Sequence, residues 1–152
     1  MPLIRRWRSL LVPLALALYA LILLLGNIRG LGQALAPDTS DKTLHLLAYG
    51  TLAGLLFVGM RQPLLRRSLM VLAVIGLLGV GDECLQAFIP YRDADALDWL
   101  ADITGAALVC ALLSLISILM PARWRPPAAP GTAAARSAAS ESPTARQTPP
   151  VR

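Results

Sequence analysis

The sequence predicts an all-α polytopic membrane protein, a bundle of four transmembrane helices with a disordered C-terminal tail. Three observations predict it. Hydrophobic residues make up 56% of the 152 and charged residues only 15%, whereas water-soluble domains carry about 25% charged residues. The apolar residues collect into four stretches, each near the roughly 20 residues that a helix needs to cross a hydrocarbon core. The charges between these stretches also alternate in sign from one gap to the next.

The first span covers residues 10–26 (LLVPLALALYALILLLG). Arg5, Arg6 and Arg8 precede it, and Ala34-Leu35-Ala36 resembles a signal-peptide cleavage site. The apolar run is longer than a secretory signal uses, Pro37 would follow the cut, and three more spans come after, so an uncleaved helix is expected. The second span covers residues 43–60, the third 68–89 and the fourth 99–120, where Pro121 ends it. The gaps between spans are short, so neighbouring helices should be antiparallel in one bundle occupying residues 1–120. Residues 121–152 are rich in Pro, Ala, Ser, Thr and Arg without any apolar period, a composition that cannot offset its ordering entropy.

Orientation follows from the excess of basic residues on the cytoplasmic side of membrane proteins. Arg5, Arg6, Arg8, Arg61, Arg66, Arg67, Arg123 and Arg125 all fall on one side of a four-span layout. Asp38, Asp41, Asp82, Glu83, Asp93, Asp95, Asp98 and Asp102 fall at or near the other. Trp7 and Trp124 mark the first boundary, Tyr91 and Trp99 the second. Both ends of the chain are therefore expected in the cytoplasm.

The formal charge of +5 does not point to nucleic acid, because the basic residues flank apolar runs rather than covering a polar folded face. Cys84 and Cys110 lie inside apolar segments, with no CxxC or Cys/His spacing, and read as small apolar fillers. No metal ligand set and no cofactor are assigned.

Helical spacing gathers the polar residues near the outer ends of three spans. Asp41, His45 and Tyr49 are four apart and share a face; Asp82, Glu83 and Gln86 occupy one arc; Asp98 and Asp102 are four apart, with Gly105 continuing their face. Arg92 lies in the intervening loop, as the nearest counter-charge for the adjacent acids Asp82 and Glu83. With a rise of 1.5 Å per residue, Asp82 should lie about 10 Å below the outer boundary and His45 and Asp102 at about 3–5 Å. A carboxylate costs about 2.5–3.5 kcal/mol at a span's centre, less toward the interface, and marks a functional site by default. The plainer alternative is that these groups tie helices together, with close packing at Gly50 and Gly54 or Gly76 and Gly79. The first span supplies almost nothing polar and reads as scaffold.

The stretches DKTLHLLAYGTLAGLL (41–56) and GDECLQAFIPYRDADALDWLADITGAAL (81–108) resemble the VanZ-like family of small bacterial membrane proteins. The matching positions are Asp41, Lys42, His45 and Tyr49, then Asp82, Glu83 and Gln86, then Arg92, then Asp98 and Gly105. Asp102 stands where that family usually has asparagine. The resemblance implies a multi-pass protein of the bacterial cytoplasmic membrane. The family's founding member is associated with teicoplanin resistance, and no fixed catalytic activity comes with the name.

Three functions compete. A binding protein would engage a cell-envelope substrate such as a lipid-linked peptidoglycan precursor, with Lys42 and Arg92 on its phosphate. The excess of acid argues instead for a cationic group on the ligand. An enzyme would use Asp82, Glu83, Asp102 and His45 to hold a divalent cation or divide acid and base roles, but one histidine and no nucleophile motif count against it. A proton- or ion-coupled transporter would need polar groups along the whole path, and four spans without an inverted repeat would have to form a homo-oligomer.

Overall fold

A computed structural model describes residues 2–120. Among them are five helices: α1 (Pro2–Gly26), α2 (Leu31–Leu35), α3 (Asp41–Gly59), α4 (Leu64–Gln86) and α5 (Ala96–Leu119). Four are long and apolar enough to cross a membrane, over Trp7–Gly26, Asp41–Gly59, Leu64–Gln86 and Ala96–Leu119. The expected disordered tail, with Trp124, Arg123 and Arg125, lies outside the described residues.

Local chemistry sets the boundaries. Ser40 caps α3 by accepting a hydrogen bond from the Thr43 amide. Asp95 caps α5 in the same way through the Leu97 amide. The third span begins four residues earlier than expected, directly after Pro63. Its first turn contains Arg66 and Arg67, which hydropathy places in the loop; Arg67 folds back to donate to the Gln62 carbonyl. The span also ends earlier, at Gln86, because residues 87–92 wind through tight turns closed by Phe88 to Leu85, Ile89 to Gln86 and Arg92 to Ile89. The short helix α2 is not evident from the sequence pattern. It follows Gly30, whose φ of 74° lies in the left-handed region open to glycine.

Helix α3 is the centre of the bundle. It packs most extensively on α5, and also on α1 and α4, while α4 packs on α5. Close approach of α3 and α5 depends on Gly105, where a methyl group would run into the Leu46 carbonyl oxygen; at Gly50 a methyl would make an ordinary contact, 3.5 Å from the Gly105 carbonyl oxygen. The core holds Tyr49, Leu52, Ala53, Leu56, Phe57, Val71, Ile75, Ala106 and Cys110. The central helix is also the least apolar span, with a mean hydropathy of 1.2 against 2.5 for α1, 1.8 for α4 and 2.1 for α5. Its neighbours shelter its polar groups and present their leucines outward, the arrangement that a hydrocarbon solvent selects.

Of the two cysteines, Cys110 is the buried filler expected, whereas Cys84 is exposed on α4. Between α1 and α5, which do not pack extensively, a groove of about 630 Å³ opens over α3. It runs from Leu46 and Leu47 past Thr51 and Leu55 to Val58 and Trp7, and its walls are almost wholly apolar.

Candidate functional site

The starts of α3 and α5 and the end of α4 meet at one pole of the bundle, and there the polar side chains converge. Three buried contacts form the inner layer. The Asp102 carboxylate (Oδ1) lies 2.9 Å from His45 Nδ1. The Tyr49 hydroxyl donates to Asp82 Oδ2 at 2.9 Å, and the Gln86 amide donates to Asp82 Oδ1 at 3.1 Å. The His45 and Tyr49 rings stack, with centroids 5.9 Å apart and planes 3° from parallel. Asp102 is fully buried, and Asp82, Asp98 and His45 are 3%, 4% and 7% exposed. The face shared by Asp41, His45 and Tyr49 and the arc shared by Asp82 and Gln86 are thus both present, joined across the helix interfaces.

An outer layer of ion pairs closes over this core. Lys42 donates to Asp95 Oδ2 at 2.6 Å and to Asp98 Oδ1 at 3.1 Å. Arg92 pairs with Asp41 Oδ2 at 3.2 Å. Glu83 Oε2 accepts from the Asp95 amide at 2.7 Å and so fixes the loop before α5. The Lys42 ammonium, hydrogen-bonded to Asp95, holds that carboxyl below the usual carboxylate range.

Several sequence expectations change here. Arg92 does not neutralise Asp82 or Glu83; its loop directs it to Asp41 at the start of α3. Asp82 is satisfied instead by a hydroxyl and an amide. Helix α1 is more than scaffold: Tyr19 donates to the Leu78 carbonyl at 3.0 Å and meets the Tyr49 ring edge-on at 6.4 Å. A lone tyrosine in an apolar run carries no period that would reveal such a role. Trp99 is not simply a boundary anchor, since its indole donates to the Gly76 carbonyl at 3.0 Å and braces α5 against α4.

The cluster is rich in negative charge and incompletely paired. Six carboxylates (Asp41, Asp82, Glu83, Asp95, Asp98, Asp102) face two permanent cations, Lys42 and Arg92. Asp102 Oδ2, Glu83 Oε1, Gln86 Oε1 and Arg92 Nε are buried without a hydrogen-bond partner. Gly79 lets α4 pass close to Asp102: a methyl there would lie 2.6 Å from Oδ2, and the carboxylate would have to turn aside. Among the described residues, Asp41, His45 and Asp98 are the group whose ligand atoms all lie within 4.8 Å of one another. Asp82, Glu83 and Asp102 with His45 are not drawn that closely together as a ligand set.

No protein-family model matches the chain, and no solved structure matches it. It is similar to an uncharacterized protein of Schizosaccharomyces pombe, with 28% identity over 105 residues. That segment is 68% of this chain and 62% of the yeast protein, so the chain spans less than two thirds of this relative's length. The relative comes from a eukaryote, and the similarity assigns no activity.

Proposed function

We propose that this chain is a VanZ-like protein of the bacterial cytoplasmic membrane whose outward-facing polar pole binds a lipid-linked cell-envelope substrate. The observation that carries the reading is that one helix, α3, bears two unlike surfaces, the polar pole at its start and an apolar groove along another of its faces. The apolar groove starts at Leu46, next in sequence to His45, and extends along α3 to Val58. That stretch of helix gives it a length of about 18 Å, room for a single extended hydrocarbon chain. A ligand with a polar head at the cluster and an aliphatic tail in the groove satisfies both. The groove's glycines do not recruit another helix, because the Cβ positions of Gly50 and Gly54 already face Gly105 and Val109 of α5.

Lys42 and Arg92 supply the positive charge for a phosphate, which takes the place of the carboxylates they hold. The placement of both chain ends in the cytoplasm, and hence of the cluster outside, rests on the distribution of arginines. A second reading, as an enzyme, draws on the Asp102–His45 pair, in which a buried carboxylate orients an imidazole for proton transfer.

Native mass spectrometry of the purified wild type, Arg92→Gln and Thr51→Trp tests the binding reading. The wild type should carry a lipid of defined mass, and each variant should lose it while remaining monodisperse. Thr51 lines the groove away from every polar contact of the cluster, so Thr51→Trp separates loss of tail binding from loss of the pole. A wild type that carries only bulk lipid, or a Thr51→Trp protein that retains the ligand, would sink the proposal.

A further inference from the structure

The polar pole holds more carboxyl groups than permanent cations, and half of those carboxyls are out of reach of solvent. Two cations serve six carboxylates, three of which (Asp82, Asp98, Asp102) are at most 4% exposed. Three of its side chains are also the right kinds of ligand. Asp41, His45 and Asp98 bring one ligand atom each within 4.8 Å of the others. His45 is held by its Nδ1, which lies against Asp102 at 2.9 Å, so Nε2 is the nitrogen left to bind. A carboxylate on the distal nitrogen is the usual partner of a metal-bound histidine, fixing its tautomer and raising its basicity. Asp102 is fully buried, its Oδ1 is engaged by His45, and its Oδ2 lacks any partner.

We infer that Asp41, His45 and Asp98 form a site for a divalent transition cation of the zinc class, with Asp102 as a positioning residue behind His45. One imidazole and two carboxylates suit zinc or manganese better than calcium or magnesium, which prefer all-oxygen sets. Ligand atoms around tetrahedral zinc stand about 3.4 Å apart for bonds of about 2.0–2.1 Å. Closing the trio to that spacing requires side-chain movements on the order of 1 Å. Lys42 and Arg92 each engage one oxygen of Asp98 and Asp41, and a carboxylate has a second oxygen with which to ligate. Three protein ligands leave a fourth position for water or for an oxygen of a bound molecule. The role of the ion, to turn an acidic pole into an acceptor for a phosphate head, rests on the proposed lipid-linked ligand. The presence of the ion does not.

The test uses the full-length protein in detergent, stripped with a chelator, desalted and titrated with Zn²⁺ alone. Bound zinc per chain is measured by mass spectrometry of the metal, and the melting temperature is recorded with and without it. The wild type should take up one equivalent and melt higher when loaded. His45→Ala should abolish uptake, Asp98→Asn should weaken it at least about tenfold, and Asp102→Asn should weaken it by about 10–100-fold through the ring it orients. Asp38→Asn, an exposed carboxylate outside the polar pole, should leave uptake unchanged. A wild type with no stoichiometric zinc overturns the inference, whatever the variants do. So does uptake that survives in both Asp98→Asn and His45→Ala, which would place the zinc elsewhere. Lipid retention is read on the same samples: zinc uptake without lipid defeats the proposed function and keeps the ion, and lipid retained without zinc uptake does the reverse.

Discussion

Tyr49 stands where three helices meet, fully buried, its hydroxyl on Asp82 of α4, its face on His45 and its edge toward Tyr19 of α1. Removing the hydroxyl leaves Asp82 Oδ2 without a donor while hardly changing the packing. Interhelical hydrogen bonds in membranes average about 0.6 kcal/mol and reach about 1.7. The carboxylate partner puts this one at the upper end, since an unsatisfied buried charge costs more than a neutral group. Tyr49→Phe should therefore lose about 1–2 kcal/mol in reversible denaturation in detergent. Tyr91→Phe is the matched control, because its hydroxyl bonds to the Asn27 carbonyl at an exposed site, and it should show no measurable change. At this scale the four-residue spacing of Asp41, His45 and Tyr49 is enough to read which side chains share a face. It cannot tell which residue on another helix each will meet. That pairing depends on the rotation and depth of separate helices, so spacing neither directs Arg92 to Asp41 nor reveals Tyr19.

The glycines on α3 and α5 look alike in sequence and differ in what surrounds them. A methyl at Gly105 meets the backbone of Leu46, which can yield only by moving the helix. A methyl at Gly54 meets one Val109 methyl at 3.6 Å, an ordinary contact. Gly105→Ala should accordingly destabilise the bundle by about 1–3 kcal/mol, the range of overpacked cores. Gly54→Ala should be neutral or stabilising by up to about 1 kcal/mol, since alanine is the better helix former. Thermal melting of both proteins checks the pair, and equal losses would mean that α3 and α5 are less closely applied than described. The four long helices are legible in the sequence because little except a membrane span calls for an apolar run of that length. Their ends are less so. Apolar residues Ala87, Phe88 and Ile89 continue the hydropathy of α4 although the backbone has already turned, and Arg66 and Arg67 sit within a helix that hydropathy alone would start later.

For the whole molecule, the arginine-rich gap between α3 and α4 and the acidic pole lie at opposite ends of the bundle. The proposed orientation makes a direct prediction in a background with Cys84→Ser and Cys110→Ala. Cysteine at Asp38, which is exposed between α2 and α3, should react with a membrane-impermeant maleimide on intact cells. Cysteine at Arg61, between α3 and α4, should react only after lysis. The opposite pattern would put the acidic pole in the cytoplasm and remove an envelope substrate from its reach. The separation of arginines from carboxylates along the chain makes the two poles readable from sequence, while the side each pole faces is the expectation that this labelling checks. The groove is not readable at all, because it arises from α1 and α5 standing apart over α3, a property of no single segment.

The partners of α3 arrive late. Lys42 waits for Asp95 and Asp98, 53 and 56 residues on, and His45 for Asp102, 57 residues on. During synthesis this least apolar span is made before any of those residues exists. Tyr49 finds Asp82 once α4 emerges, but Lys42 and His45 remain unmatched until the start of α5. Chain order thus makes α5 the span that completes the polar contacts of α3. A chain that stops short of residue 95 lacks the partners of Lys42 and His45 and leaves bare the polar groups that the finished bundle pairs.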